Sequence, residues 1–311
     1  MFNSRLTSVR VLCPAALVAL AGASAPALAD FTYSDFVSPA NLKLNGVATL
    51  FEGGLSVTPP VAREAGSAWH TQLQDVSLGF TTDFTFRIRN KSGIGSDGFA
   101  FVVQNSFTPD AGVSGGISGV VGNTGINALG AGGGALGYAS NLAFPSAGVG
   151  INNSIAVEFD LYNNQANWDD FNSDNHISVH SMGVLANQPN AATSLGHAFP
   201  AADMSSGDLY DVRIVYTPGV LSLFMKLSSA GAFGPAVLTI NGFDISTAMQ
   251  LAPGNNAGQA LVGFTAGTGG AANVERHEIT RWSFQSVVVP APASAGILAL
   301  AGLTAGRRRR R

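Results

Sequence analysis

The chain has 311 residues, of which 46% are hydrophobic and only 11% are charged. This length allows one large domain or two smaller ones. Between residues 30 and 306 there are 19 acidic and nine basic residues, a net charge of −10, because two of the 16 basic residues precede this stretch and five follow it. A domain this acidic is a poor candidate for binding nucleic acid or an anionic membrane surface.

Residues 1–29 are predicted to be a secretory signal peptide. Arg5 and Arg10 come before an apolar run from Val11 to Ala21, and Ala27-Leu28-Ala29 is typical of an A-x-A cleavage site. A signal anchor is the alternative, but the apolar run is short and a small-residue site follows it. The only cysteine, Cys13, lies in this leader, so the exported chain would have no disulfide although export permits them.

From residue 31 onward the sequence consists of short apolar runs separated by turn residues. None of it shows a sustained apolar period of 3.6 residues, and 38 glycines disfavour helices. Many short strands without helices predict a single all-β domain, a sandwich or jelly roll. The predicted strands include Leu42–Leu50, Leu55–Thr58, Gly79–Arg89, Gly98–Gln104 and the hairpin Tyr210–Leu227 that turns at Pro218.

The segment Ser96-Asp97-Gly98-Phe99-Ala100-Phe101 places an aspartate at the start of a strand. Phe99, Phe101 and Val103 share one face, so Asp97 is expected at the leading edge, where a loop side chain is free to meet a ligand. An ordinary turn aspartate is the alternative.

The next stretch, Asn105–Asn153, contains thirteen glycines in 49 residues and a single charge, Asp110. Long ordered loops are usually functional, and a flexible linker is the alternative. The stretch lacks a G-K-[ST] motif, which argues against a nucleotide-phosphate loop.

The stretch Ile155–His180 carries the strongest chemical signal. Apolar residues alternate with polar ones from Ile155 onward, which predicts a strand buried on one face and puts Glu158 and Asp160 together on the other. Two carboxylates this close repel each other unless a proton or cation lies between them. Oxygen ligands suit Ca²⁺, and carboxylates with one imidazole suit Mn²⁺ or a similar ion. We therefore predict a two-cation site, with the solvated face of an edge strand as the alternative; the same stretch also holds Asn164, Asp169, Asp170, Asp174 and His176.

The pattern E-x-D-x-Y-x-N, followed by an aspartate and then H-I, resembles the cation-binding loop of the legume (L-type) lectins. The resemblance implies a concanavalin A-like jelly-roll β-sandwich in one domain over residues 30–287. It also implies two cation sites, and Asp170 or Asp174 could take the place of Asp169 in both. The implied ligands of the transition ion, Mn²⁺ or similar, are Glu158, Asp160, Asp169 and His176; those of Ca²⁺ are Asp160, Asn164, Asp169 and the backbone carbonyl of Tyr162.

The same resemblance implies a carbohydrate site. The aspartate of the D-G-F-A-F motif, Asp97, follows a cis peptide bond in that family and accepts hydrogen bonds from sugar hydroxyls; Ser96 stands where the family usually has alanine. Gly132–Gly137 resembles the family's G-G-x-L-G segment, in which a glycine N–H donates to the sugar. The implied carbohydrate-binding residues are Asp97, Gly133 or Gly134, Asn164 through its amide, Tyr162 through its ring face, and Gly270.

The end of the domain resembles the final strands of the same family. V-G-F-T-A-x-T-G is followed by E-x-H-x-I and W-S-F, and the loop Thr268–Val274 between them corresponds to the fourth binding loop, whose length helps to select the sugar. His277 and Trp282 are predicted to be packing residues rather than ligands.

Residues 288–311 have a different composition. Pro290-Ala291-Pro292 leads into about fifteen apolar residues, fewer than the roughly twenty that span a bilayer, and then into Arg307–Arg311. The layout resembles the PEP-CTERM sorting signal, here with Pro-Ala-Pro, which implies an exosortase-like processing peptidase and at least transient membrane anchoring. A simple tail anchor is the alternative.

Three classes of function remain. The favoured one is an exported carbohydrate-binding lectin of the bacterial cell envelope or extracellular matrix, dependent on Ca²⁺ and a transition metal, with glycans or exopolysaccharide as partners. The second is a structural envelope or matrix protein that has lost sugar binding. The third is a glycoside hydrolase, since Glu158-Phe159-Asp160 resembles the start of the laminarinase-type E-x-D-x-x-E motif. Its third acid would fall at Asn163, and an amide cannot act as a general acid, so no catalytic residue is predicted.

Overall fold

The computed structural model describes residues 30–106, 124–140, 150–165, 171–251 and 258–287. The predicted signal peptide and the predicted sorting segment therefore lie outside the described residues. The strands are β1 (Phe31–Tyr33), β2 (Leu42–Gly46), β3 (Thr49–Phe51), β4 (Gly54–Thr58), β5 (Ala65–His70), β6 (Gln74–Asp75), β7 (Phe80–Ser92), β8 (Gly98–Gln104), β9 (Ser154–Asp160), β10 (His176–Ser181), β11 (Ser194–Ala198), β12 (Leu209–Thr217), β13 (Gly219–Leu227), β14 (Leu238–Phe243), β15 (Gln259–Gly267) and β16 (Val274–Ser286).

These strands form two antiparallel sheets packed face to face. The front sheet has the order β11-β10-β9-β8-β15-β5-β2, with β6 beside β15, and the back sheet has the order β14-β13-β12-β7-β16-β4-β3, with β1 beside β16. The prediction of a single all-β sandwich is confirmed. Within the described ranges, helical structure amounts to one short α-helix, α1 (Ile245–Ala248), and a few 3-10 turns. No helix in this part of the chain is long and apolar enough to cross a membrane.

Most predicted strands are found close to their predicted bounds, but one predicted run is divided between the sheets. Leu42–Leu50 contributes β2 to the front sheet and β3 to the back sheet. Gly46 ends β2 with a left-handed φ of 60°, and a side chain there would collide with the carbonyl oxygen of Ala65. The chain can leave the sheet at this point because glycine tolerates the conformation.

The main core lies between the sheets and is rich in aromatic rings. Phe84 and Phe86 of β7 contact Phe99 of β8 and Phe159 of β9, and the rings of Phe99 and Phe159 stack with centroids 4.7 Å apart. His277 and Trp282 are each 1% exposed, as expected of packing residues.

A second apolar cluster covers the outer face of the front sheet. Leu136 and Tyr138, from the glycine-rich stretch, pack there with Trp69 of β5, Ala100 of β8 and Ala156 of β9. All seven residues of β9 are consequently buried. The expectation that β9 is buried on one face only is therefore wrong, and the strand carries its two carboxylates into a site covered on both sides.

His70 gives the fold a specific dependence on pH. Its Nδ1 lies 2.8 Å from the Tyr33 hydroxyl, its ring stacks on that of Phe31, and burial lowers its pKa to about 4. In the unfolded chain the pKa returns to about 6.5. As the pH falls from 6.5 toward 4, the unfolded state therefore binds the proton more readily, and stability is lost.

We expect urea denaturation to show that the free energy of unfolding falls by about 2 kcal/mol between pH 7 and pH 5 because of His70. His70→Gln should remove that part of the pH dependence; an unchanged slope in the variant would contradict this origin.

Candidate functional site

The two strand carboxylates lie at the centre of the front sheet. Glu158 and Asp160 are two residues apart on β9, and both side chains are fully buried. The intervening Phe159 points into the main core, so the two acids project from the opposite face, as their alternation predicts. In the strand pairing, Ser178 of β10 lies opposite Glu158 and His176 lies opposite Asp160.

Glu158 is surrounded by donors from the protein itself. The Tyr138 hydroxyl donates to its Oε2 over 2.7 Å, and the Ser178 hydroxyl donates to its Oε1. The Nε2 atoms of His180 and His176 lie 2.9 and 3.7 Å from the same Oε1. Burial alone would raise the pKa of Glu158, but the charge of His180 and the hydrogen bonds from both imidazoles hold it well below its usual range. The carboxyl group is thus kept ionised.

Three groups beside Glu158 were not predicted from the sequence: Tyr138, Ser178 and His180. His180 Nε2 lies 2.7 Å from Ser178 Oγ, and His180 Nδ1 lies 3.0 Å from Thr193 Oγ1, so a hydrogen-bonded chain extends outward from Glu158. The alternation of β10, which places His176, Ser178 and His180 on one face, is a signal that could have found two of them. Tyr138 comes from a distant segment, and no spacing in the sequence indicates it.

The other predicted cation ligands lie around the end of β9. Asp160 Oδ1 accepts a hydrogen bond of 2.8 Å from the backbone of Tyr162, and His176 is fully buried with its Nδ1 3.2 Å from the carbonyl of Ser173. Asp174 is exposed. Asp169 and Asp170 lie outside the described residues. Among the residues that are described, no three His, Cys, Asp or Glu side chains form a group that could hold a metal ion.

Asp97 lies beside this carboxylate region. The Ser96–Asp97 peptide bond is cis, as the resemblance implied. The Leu161 amide, just after β9, donates to the Asp97 carbonyl over 2.8 Å, and Asn164 Nδ2 lies 3.3 Å from Asp97 Oδ1. In the part of the chain that the structure describes, Asp97 Oδ2 and Asn164 Oδ1 are buried without a hydrogen-bond partner.

The Asp97 side chain is more enclosed than the sequence predicts. It is 2% exposed, rather than free in a loop, because neighbouring loops close over it. Burial raises the pKa of Asp97 to about 7, and the charge of Glu275 adds to this, while the Asn164 amide opposes it. A nearby cation or a hydrogen-bond donor would favour the ionised form.

Glycines form the walls around Asp97 and Asn164. A side chain at Gly134 would come within 2.8 Å of Asn164 Oδ1, and one at Gly269 within 2.8 Å of Asp97 Oδ2. A side chain at Gly133 would come within 3.9 Å of Asp97 Oδ2, and Gly133 begins an ordered 3-10 turn, so a flexible linker is excluded at this point. Gly270 is exposed, and a side chain there would meet nothing within 4 Å. The structure therefore brings Gly269, which was not predicted, against Asp97, and the role of the neighbouring Gly270 in sugar binding stays a prediction.

Tyr162 completes the set of predicted residues. It is partly buried and lies between Asp160 and Asn164 in sequence, and its amide is held by the Asp160 carboxylate. The structure therefore collects Asp97, Gly133, Gly134, Asn164 and the end of β9 at one end of the front sheet. Backbone, amide and carboxylate groups collected in this way can donate hydrogen bonds to a small polar ligand and accept them from it.

The model of the family described as "Legume lectin domain" matches residues 28–297. The chain belongs to this family. The match extends across all the described residues, from the first strand of this legume lectin domain to its last.

Solved structures show the same fold. The lectin from Bauhinia forficata in complex with GalNAc has a TM-score of 0.60 and 23% identity, over 85% of this chain and 100% of that one. Arcelin-5, a lectin-like defense protein from Phaseolus vulgaris, has a TM-score of 0.55 and 20% identity, over 84% and 99%. The exoplasmic/lumenal domain of VIP36, in a Ca²⁺/Man3GlcNAc-bound form, has a TM-score of 0.54 and 17% identity, over 85% and 92%.

The glycine walls of this legume lectin domain lead to a prediction. Gly134→Ala should push Asn164 from its place, because the new methyl group would lie 2.8 Å from Asn164 Oδ1. Overpacking of this kind costs about 1–3 kcal/mol, measurable as a loss in the free energy of unfolding. Gly231→Ala is the matched control, since a side chain there meets nothing within 4 Å. Equal stability of the two variants would contradict the close packing of Gly134 on Asn164.

Proposed function

We propose that this legume lectin domain binds glycans at the end of the front sheet. The observation that carries the proposal is Asp97 Oδ2, a buried carboxylate oxygen with no hydrogen-bond partner among the described residues and with Gly133 and Gly269 beside it. Buried polar atoms are nearly always hydrogen-bonded in native proteins. A sugar hydroxyl supplies the donor that this oxygen lacks.

The remaining contacts follow from the same geometry. A backbone N–H of Gly133 or Gly134 would donate to the sugar, since the absence of side chains lets a ligand approach the backbone there. The Asn164 amide would hydrogen-bond the sugar, Tyr162 would offer a ring face, and the loop that contains Gly269 and Gly270 would form the outer wall.

We propose that divalent cations support this site. Asn164 favours this arrangement, because its Nδ2 faces Asp97 while its buried Oδ1 is without a partner in the described chain. An amide oxygen is a ligand that Ca²⁺ accepts. Ca²⁺ would be held by Asp160, Asn164, Asp169 and the Tyr162 carbonyl.

A transition ion, Mn²⁺ or similar, would be held next to Ca²⁺. Glu158 fits this role because its carboxyl group is kept ionised, and its Oε1 lies 3.7 Å from the Nε2 of His176, an imidazole of the kind that such ions bind. Asp160 and Asp169 would complete the set. The ions would supply positive charge to the buried acids; the protein itself positions the amide and the carboxylates.

We further propose that the protein is exported and is active at the bacterial cell envelope or in the extracellular matrix. The predicted signal peptide at 1–29 supports export, and the segment at 288–311 supports sorting by an exosortase-like peptidase with transient or permanent anchoring. The protein acts as a binding protein without catalytic residues. If the protein instead has a purely structural role, the wild-type protein should fold but bind no sugar on the glycan array used below.

Asp97→Asn tests the sugar contact. Replacing one acceptor oxygen with an amide donor should weaken glycan binding at least about tenfold, because a hydrogen bond to a charged group is lost. A glycan array followed by titration calorimetry on the best sugar would measure the effect. Asp208→Asn, at an exposed aspartate, is the control. Full signal from the Asp97 variant would refute the role of this carboxylate.

Chelation tests the cations. Removing divalent ions with EDTA should lower the melting temperature and weaken glycan binding together, since a ligand that binds only the folded state stabilises it. Calorimetry and the same array, before EDTA and after re-addition of Ca²⁺ and Mn²⁺, would show the effect and its reversal. If neither quantity changes, the cation proposal is wrong.

A further inference from the structure

Ser96 joins the loop of Asp97 to the loop that covers the proposed sugar site. Its side chain is 1% exposed. Its hydroxyl donates to the carbonyl of Asn273 and accepts a hydrogen bond of 3.1 Å from the Gly269 amide. One hydroxyl group therefore holds both ends of the segment 269–273, which we call the covering loop.

The covering loop is also held from its other side. The Arg63 amide donates to the Gly269 carbonyl over 2.8 Å, and the backbone of Thr268 is bonded to the carbonyl of Glu64 over 3.0 Å. The rest of the loop is open: Ala271 and Ala272 are exposed, and Gly270, whose carbonyl accepts a hydrogen bond of 3.0 Å from the Asn273 amide, is exposed with free space where a side chain would lie. At its other end the Asn273 side chain accepts a hydrogen bond of 3.2 Å from the Ile94 amide. The loop is thus held over Asp97 by contacts at its ends, and Ser96 provides two of them.

The position of the covering loop matters because little space separates it from the Asp97 carboxylate. A side chain at Gly269 would lie 2.7 Å from Ser96 Oγ and 2.8 Å from Asp97 Oδ2. The loop backbone therefore lies against the carboxylate oxygen that we assign to the sugar. A shift of this loop changes the space beside that oxygen.

We propose that Ser96 is a positioning residue that sets the distance between Asp97 and the covering loop, and that it thereby helps to determine which sugar the site accepts. This inference rests on the proposed glycan binding. Ser96 itself need not touch the sugar, because its hydroxyl is occupied by the two loop contacts. Removing it should leave Asp97 in place and free the loop.

The test compares Ser96→Ala with Ser77→Ala. Ser77 also donates its hydroxyl to one nearby acceptor, Asp75 Oδ1 at 3.1 Å, but it is outside the proposed site. Titration calorimetry with galactose, GalNAc and mannose should show affinities that fall unequally in Ser96→Ala, the preferred sugar losing about five- to tenfold and the ranking becoming flatter. Ser77→Ala should retain both the affinities and the ranking. Unchanged affinities in Ser96→Ala, or an equal loss for all sugars that the wild-type protein binds, would overturn the positioning role.

Hydrogen exchange provides a second measurement that does not need a sugar. The Gly269 amide should exchange about tenfold faster in Ser96→Ala, while amides of β8 and β9 keep their wild-type rates. Asn273→Ala is a second variant, because it removes the bond from the Ile94 amide to Asn273 Oδ1 and should free the same loop. Unchanged exchange at Gly269 in Ser96→Ala overturns the proposal even if the protein binds sugar. If Gly269 exchanges faster in Ser96→Ala but the wild-type protein binds no sugar on the array, the proposed function is wrong, and the role of Ser96 in sugar selectivity falls with it.

Discussion

Two buried acids on one central strand constrain the whole site. β9 is covered by the aromatic core on one side and by the cluster of Tyr138 and Leu136 on the other, so Glu158 and Asp160 cannot be solvated by bulk water. Burying a charge is costly unless it is paired and hydrogen-bonded. The register then places the neighbouring groups: Asp160 has Gly98 opposite it on β8 and His176 opposite it on β10. Asp97 is brought beside the acids by the same pairing, because it immediately precedes Gly98.

Two of the buried glutamates, Glu278 and Glu158, are stabilised in different ways. On the back sheet, Glu278 is 2% exposed and is paired with Arg87 and Arg89 at 3.1 and 2.7 Å. On the front sheet, Glu158 receives a tyrosine hydroxyl, a serine hydroxyl and imidazole groups instead. Arginine is a bulky, permanently charged partner that fills the space around a carboxylate. Hydroxyl groups and imidazoles fill less of that space around Glu158, which is compatible with the cation that we propose there.

Much of the fold could be predicted from local patterns, since the alternation of period two in β7, β8 and β9 is visible in the sequence. The pairing of Glu158 with Asp160 on one face follows from the same alternation. What could not be predicted depends on contacts between distant segments. The cover over β9 comes from residues some twenty positions earlier, through a loop whose glycines give no period, and Tyr138 reaches Glu158 by this route. The position of Gly269 against Asp97 likewise depends on a contact between distant segments, since its amide bonds to the Ser96 hydroxyl. The ligand expected at Asp169 stays a prediction.

The last strand determines how the domain faces its surroundings. β16 begins at Val274, directly after the covering loop, and has thirteen residues, ending at Ser286, whose amide donates to the Asp30 carboxylate over 3.0 Å. At about 3.3 Å per residue, an extended strand of this length measures roughly 40 Å. Asp30 and Val287 therefore lie together at the pole opposite the sugar loops. A tether attached through either of these residues would hold the domain with the proposed sugar site directed away from the surface to which the tether is fixed.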